Sequence, residues 1–303
     1  MWCLIQKVPM EVNSRRGEVQ MENIIISGFA DEIDPNLDKQ IEVVKRLGIS
    51  YIEMRGVNGK GLVEYSLDDV REIKKILDTN GICLSAIGSP IGKIKITDAF
   101  EEHFELFKHA VEIAKIMDTP YIRMFSFFMP ENEKPEEYKE EVFCRLQRFV
   151  DYAKVHGIIL LHENEKDIYG DVACRCKEIM EEFYCDNFKA VFDFANYVQC
   201  GQDTLEAYEM MKPYIAYIHI KDAHAKDKTV VPAGVGDGNV KAILKELLGG
   251  GYEGVLSLEP HLSDFSGFAS LEQGEKQEKQ KLTGEEAYEV AYNALAGILR
   301  ELS

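Results

Sequence analysis

Eight short apolar runs alternate with amphipathic stretches along most of this chain. The runs are NIIIS (Asn23 to Ser27), YIEM (Tyr51 to Met54), ICLSAI (Ile82 to Ile87) and YIRMF (Tyr121 to Phe125). They continue with IILLH (Ile158 to His162), AVFDF (Ala190 to Phe194), IAYIHI (Ile215 to Ile220) and GVLSL (Gly254 to Leu258). Runs this short and this apolar are strands buried on both faces, as in a parallel sheet whose crossovers are helices. The segments between them carry helical punctuation. Leu37, Ile41, Val44 and Leu47 recur at helical spacing before Gly48. Ser66 with Asp69 forms a capping pattern ahead of Val70, Ile73 and Leu77, and Gly81 closes that run. Further helical runs follow Thr97 and Pro135, and Thr283 with Glu286 opens the last one. Eight such units in 303 residues predict a single-domain (β/α)8 barrel. SGFADE, after the first run, is not the glycine fingerprint that an open dinucleotide-binding sheet carries.

The barrel is expected over residues 21–303. Residues 1–20 show no periodicity, no proper signal-peptide core and no small-residue cleavage site, and are expected to be a disordered extension. The tract Glu272 to Lys281 (EQGEKQEKQK) is expected to be a solvated loop within the one domain. Seven cysteines at spacings that match neither a zinc knuckle nor a disulfide framework predict free, buried thiols in a reducing cytoplasm. No stretch is long and apolar enough to span a bilayer. The net charge of −18, from 53 acids against 35 Lys and Arg, opposes nucleic acid and anionic membranes as partners. A small anionic substrate stays open, because a local cation overrides the mean field.

In a barrel of this kind function gathers where strands end. Glu163 follows the fifth run, Asp193 lies in the sixth, His219 in the seventh, and Glu259 follows the eighth, at spacings of 30, 26 and 40 residues. Any one of them has an ordinary explanation: a solvated strand-end acid, a helix cap, a histidine bonded within the barrel. All four at successive strand ends point instead to one site, where three carboxylates repel one another unless a cation sits among them. Oxygen-rich ligands with one imidazole suit Mn2+ or Mg2+, with Co2+ or Zn2+ as alternatives. Lys221 and His261 are candidates for catalysis, Lys221 by polarising a substrate oxygen or holding a phosphate and His261 by protonating a leaving group. Glu53, Arg55, Ser89, Lys93 and Asn196 are candidate substrate contacts. Gly234, Gly236 and Gly238 precede a helical run and offer backbone N–H groups to an anion. Phe29, Phe125, Phe127 and Phe128 read either as barrel packing or as an apolar wall over a sugar ring.

LLHENE, FDFANYVQCG, YIHIKDA with VPAGVGDG, and LSLEPHL together resemble the sugar phosphate isomerase/epimerase family of xylose-isomerase-like barrels, over about residues 21 to 300. The resemblance implies that Glu163, Asp193, His219 and Glu259 bind one divalent metal. It also implies that Glu163 and Glu259 act as the acid/base pair on opposite faces of a carbohydrate substrate. Its metal-stabilised enediolate chemistry serves isomerisation, epimerisation and elimination alike. Several ketose 3-epimerases of the family have a His three residues after the metal Asp and an Arg beyond the metal His. Asn196 and HIKDAHAKD depart from that pattern and point towards relatives that act on keto-sugars or inososes. The leading reading is thus a metal-dependent isomerase or epimerase of a sugar, keto-sugar or sugar phosphate. The alternative is a lyase that dehydrates an inosose or cleaves a 3-keto-glycoside.

Apurinic endonucleases share the barrel but need more metal-binding histidines and a basic groove. Four of the seven histidines here (His103, His109, His156 and His224) fall in expected helices or loops. A non-catalytic subunit that kept the fold fits poorly with an intact ligand set. Barrels of this family often pair, which admits a homo-oligomer, but no surface patch assigns one.

Overall fold

The structure, a computed structural model, describes residues 23–263 and 282–303. The expected extension at residues 1–20 and the charged tract from Glu272 to Lys281 lie outside the described residues. The strands are β1 (Ile24–Gly28), β2 (Tyr51–Met54), β3 (Cys83–Gly88), β4 (Tyr121–Met124), β5 (Ile159–Glu163), β6 (Phe188–Asp193), β7 (Ile215–Ile220) and β8 (Gly254–Leu258). They hydrogen-bond in the order β1-β8-β7-β6-β5-β4-β3-β2, each neighbouring pair parallel. β1 and β2 approach each other at the remaining seam, so the sheet is a nearly closed TIM barrel.

Helices α1 (Leu37–Arg46), α2 (Leu67–Asn80), α3 (Glu101–Ile116), α4 (Lys139–Val155), α5 (Ala173–Phe183), α6 (Thr204–Met211), α7 (Val240–Gly249) and α8 (Gly284–Leu302) accompany the strands. Their ends follow local chemistry. The Ser66 hydroxyl accepts from Asp69 N, Gly81 takes a left-handed φ of 70° after α2, and Thr283 and Glu286 form a reciprocal capping box. The run expected after Thr97 is α3, which ends at Ile116. The chain between Thr97 and Phe100 stays irregular, and α3 begins without a side-chain cap. A short helix, Phe194–Gln199, is inserted straight after β6.

Alternation along each strand divides the core in two. One set of side chains packs outward with the helices in a continuous apolar cluster. The other set points into the barrel, where Ala86, Leu161, Val191, Tyr217 and Val255 fill one layer. Two residues further along β5, β6, β7 and β8 come Glu163, Asp193, His219 and Ser257, and two beyond Ser257 comes Glu259. The apolar layer is therefore the floor on which the polar residues stand.

All six described cysteines are free thiols, as expected, but burial holds only for Cys176. Its Sγ donates to Gly170 O, and burial pushes the thiol up to about 12. Cys144, Cys174 and Cys185 are exposed, because they fall on helix and turn positions turned away from the sheet. Among the described residues no helix is long and apolar enough to cross a membrane.

Candidate metal centre

Glu163 ends β5, Asp193 ends β6, His219 is next to last in β7, and Glu259 directly follows β8. One ligand atom from each lies within 4.8 Å of every other, and all four side chains are buried. His219 Nδ1 is 2.8 Å from Glu163 Oε1, 3.6 Å from Glu259 Oε2 and 4.0 Å from Asp193 Oδ2. Asp193 serves two directions at once. Its Oδ1 caps the short helix by accepting from Asn196 N (2.7 Å), while its Oδ2 finds no hydrogen-bond partner. Lys221 Nζ stands 3.1 Å from that Oδ2, an ion-pair distance without hydrogen-bond geometry.

The local charge balance favours a cation. Six carboxylates (Asp31, Glu32, Glu53, Glu163, Asp193 and Glu259) are buried with only three permanent cations, Arg55, Arg123 and Lys221, an excess of three negative charges that a protonated His219 cuts to two when no ion is bound. A divalent ion reduces the excess of three to one, and buried carboxylates left unneutralised are costly. Burial, joined by the charges of Glu259 and Glu163, pushes the Asp193 carboxyl up to about 7 in spite of Lys221. Burial also works against Glu163, but His219 and Arg123 outweigh it and hold that carboxyl at about 2. Glu259 is held well below the usual carboxylate range, with burial overcome by Lys221, His261 and His219. The hard oxygens, the single imidazole and the orphaned Asp193 Oδ2 fit a divalent metal.

The other sequence candidates separate into groups. Lys221 is at the site, its Nζ 2.9 Å from Glu259 Oε2. It does not pair with Asp222, whose carboxylate instead accepts from the N–H groups of Gly234 (2.9 Å), Gly236 (3.1 Å) and Gly238 (2.8 Å). The anion in the glycine cradle is thus a side chain of the protein itself. His261 is partly exposed, with Nε2 3.4 Å from both Glu259 Oε1 and Glu32 Oε1. Arg55 bridges Asp31, Glu32 and Glu259. Asn196 is buried and donates to Asn164 O (2.9 Å), with Glu163 Oε1 at 3.5 Å. Ser89 donates to Arg123 O (2.5 Å), and Lys93 pairs with Glu165 (3.1 Å) over the ring of Phe125. Glu53 is fully buried in the barrel beneath His219, not at the mouth, and does not pair with Arg55. Phe29 carries Arg55 on its face, and Phe127 belongs to the outer packing with Phe100 and Phe149.

Sequence reading missed Arg123, Asp31 and Glu32. Arg123 Nη1 donates to Glu163 Oε2 (2.8 Å), and its guanidinium lies 4.5 Å from the Phe125 ring centroid and 5.3 Å from that of Phe29. The signal was present in YIRMF. Tyr121 points inward, so Arg123 does as well, and a charge there needs a partner in the barrel. Asp31 and Glu32 sit in the single turn after β1, buried against Arg55.

A family profile described as xylose isomerase-like TIM barrel matches residues 41–285. An inosose isomerase from Halalkalibacterium halodurans is 27% identical over 240 residues, covering 74% of this chain and 82% of that protein. A 3-dehydroshikimate dehydratase from Bacillus anthracis is 21% identical over 180 residues, or 59% of this chain and 64% of that protein. Among solved structures, IOLI protein with a binding zinc atom aligns with a TM-score of 0.70 at 21% identity, covering 92% of this chain and 99% of that one. The profile spans most of the barrel and all four clustered strand-end residues, and the chain belongs to the xylose isomerase-like TIM barrel family.

Proposed function

We propose that the protein is a divalent-metal-dependent isomerase or epimerase that moves a proton at the carbon next to the carbonyl of a keto-sugar or inosose. The observation that carries this reading is the convergence of Glu163, Asp193, His219 and Glu259 within 4.8 Å at the barrel's active end. Glu163, Asp193, His219 and Glu259 would hold Mn2+ or Mg2+, with Co2+ or Zn2+ as alternatives, and the ion would supply Lewis acidity that makes the C–H next to the carbonyl acidic.

The chain's own residues handle the proton. Arg123 fixes Glu163 through Oε2 and Arg55 fixes Glu259 through Oε1, so each carboxylate keeps its ionised form and one orientation. One glutamate removes the proton. Return from the other on the opposite face inverts the carbon, and return to the neighbouring carbon isomerises. Lys221 lies between Asp193 and Glu259, which supports a role as donor to a substrate oxygen. Arg55, Asn196, Ser89 and Lys93 complete the proposed substrate contacts.

The substrate is proposed to be unphosphorylated. Among the described residues the cradle of Gly234, Gly236 and Gly238 is filled by Asp222, and Lys93, Lys221, Arg55 and Arg123 are each paired with carboxylates.

A lyase reading draws on His261, which lies beside Glu259 and would protonate a leaving group. The inosose isomerase and the dehydratase among the relatives are compatible with one shared first step. Incubating the metal-loaded protein with a panel of keto-sugars and inososes in D2O separates the two readings. Deuterium incorporation with the skeleton intact supports the isomerase, loss of water or aglycone supports the lyase, and no reaction with any of them defeats both.

A further inference from the structure

Glu53 is fully buried in the barrel, one layer below the proposed metal ligands. Its Oε2 accepts from Tyr217 OH (2.9 Å) and Ser257 Oγ (2.7 Å), and it lies 3.0 Å from His219 Nε2. Tyr217 OH is tied in turn to Ser85 Oγ (2.9 Å), and Ser85 Oγ to Ser27 Oγ (2.7 Å). Hydroxyls from β1, β3, β7 and β8 therefore lock the carboxylate against the underside of the imidazole. The other ring nitrogen, Nδ1, faces Glu163 Oε1 at 2.8 Å, on the side of the ligand cluster. The edge-to-face contact with Phe29, at 5.2 Å between centroids, fixes the ring plane.

Only a ring nitrogen without its proton binds a metal, and the partner of the other nitrogen decides which one that is. Glu53 offers Nε2 an acceptor and leaves Nδ1 to the ion. Its own Oε1 has no hydrogen-bond partner, which makes a carboxylate a costly way to fill the space. An apolar side chain would pack the barrel without that cost, so the position is explained by what Oε2 does for His219.

We propose that Glu53 is a positioning residue of the metal centre, holding His219 in the orientation and tautomer that present Nδ1 to the ion. This rests on the metal-centre reading above, and the experiment separates the two. Affinity for Co2+ is measured by chelator competition on wild type, Glu53→Gln and Glu53→Ala, together with the ligand-field spectrum and the melting temperature of the metal-free proteins. Glu53→Gln keeps size and an acceptor oxygen but loses the charge, so it is the variant of choice should the Ala variant not fold.

The proposal predicts a dissociation constant raised about 10-fold in Glu53→Gln and up to about 100-fold in Glu53→Ala, with a shifted Co2+ spectrum. Excess Mn2+ should recover kcat in the Gln variant. Wild-type affinity and spectrum in Glu53→Gln, with only the melting temperature changed, would make Glu53 a packing residue and overturn the proposal. A wild-type protein that binds no Co2+ would instead remove the metal-centre reading, and this inference with it.

Discussion

The carboxylates at the barrel mouth differ in what their second oxygens do. Glu163 spends Oε2 on Arg123, Glu259 spends Oε1 on Arg55, and Asp193 spends Oδ1 on a helix cap. Each is held rigidly by one oxygen while the other faces the cluster. Glu163→Gln and Glu259→Gln keep size and an acceptor but remove the base, so the one that takes the proton should lose roughly 10²–10⁴ in kcat. Asp193→Asn should show the other pattern, with weak metal binding and activity partly recovered in excess Mn2+. Titrating each variant with Mn2+ while following turnover checks both. Arg123→Met leaves Glu163 buried without its nearest cation, and should cost the metal-free fold about 3–5 kcal/mol in denaturant unfolding. The convergence of Glu163, Asp193, His219 and Glu259 was legible in the sequence because each falls at a strand end. Arg123 was not singled out because a lone charge inside an apolar run gives no spacing pattern. Only the inward parity it shares with Tyr121 marks it.

Among the elements, the loop after β3 shows how the segment of the proposed substrate contacts is fixed. Gly92 has φ of 88°, and a Cβ there would lie 2.0 Å from Phe125 O. Its N–H donates to His103 Nε2 on α3 (2.7 Å), and its carbonyl accepts from Phe127 N (3.0 Å). Ser89 and Lys93 are carried on this clamp. Burial, helped by the charge of Arg145, lowers His103 to about 4 from an ordinary 6.5. The folded state thus binds the proton less readily than the unfolded chain. The stabilisation is fully present above pH 6.5 and is lost as pH falls from 6.5 towards 4. It amounts to at most about 3 kcal/mol. His103→Gln should flatten the pH dependence of urea unfolding in that window, and an unchanged slope would place the titration elsewhere. The strand runs predicted these elements to within a residue or two, because two-sided burial forces apolar composition. The loop clamps escaped notice because they join side chains distant in sequence, as Asp222 does with the glycine segment it occupies.

At the scale of the whole molecule, a barrel with net charge −18 concentrates five carboxylates around three cations at its mouth, with a sixth, Glu53, buried beneath them. Field and site act together to repel anions and attract a divalent cation. A keto-sugar should therefore be turned over with higher kcat/KM than its phosphate ester, and steady-state kinetics on a matched pair decides it. The eightfold alternation made the fold legible, whereas no comparable repeat in the sequence marks the substrate.

In the proposed function a divalent ion among Glu163, Asp193, His219 and Glu259 makes possible proton removal beside a carbonyl. Deuterium incorporation from D2O into an inosose, followed by proton NMR with Mn2+-loaded and chelated protein, tests it most directly. Exchange should occur at the carbon next to the carbonyl with metal present, be abolished by chelation and return on adding Mn2+. Exchange that continues at full rate in the chelated protein would contradict the proposed function.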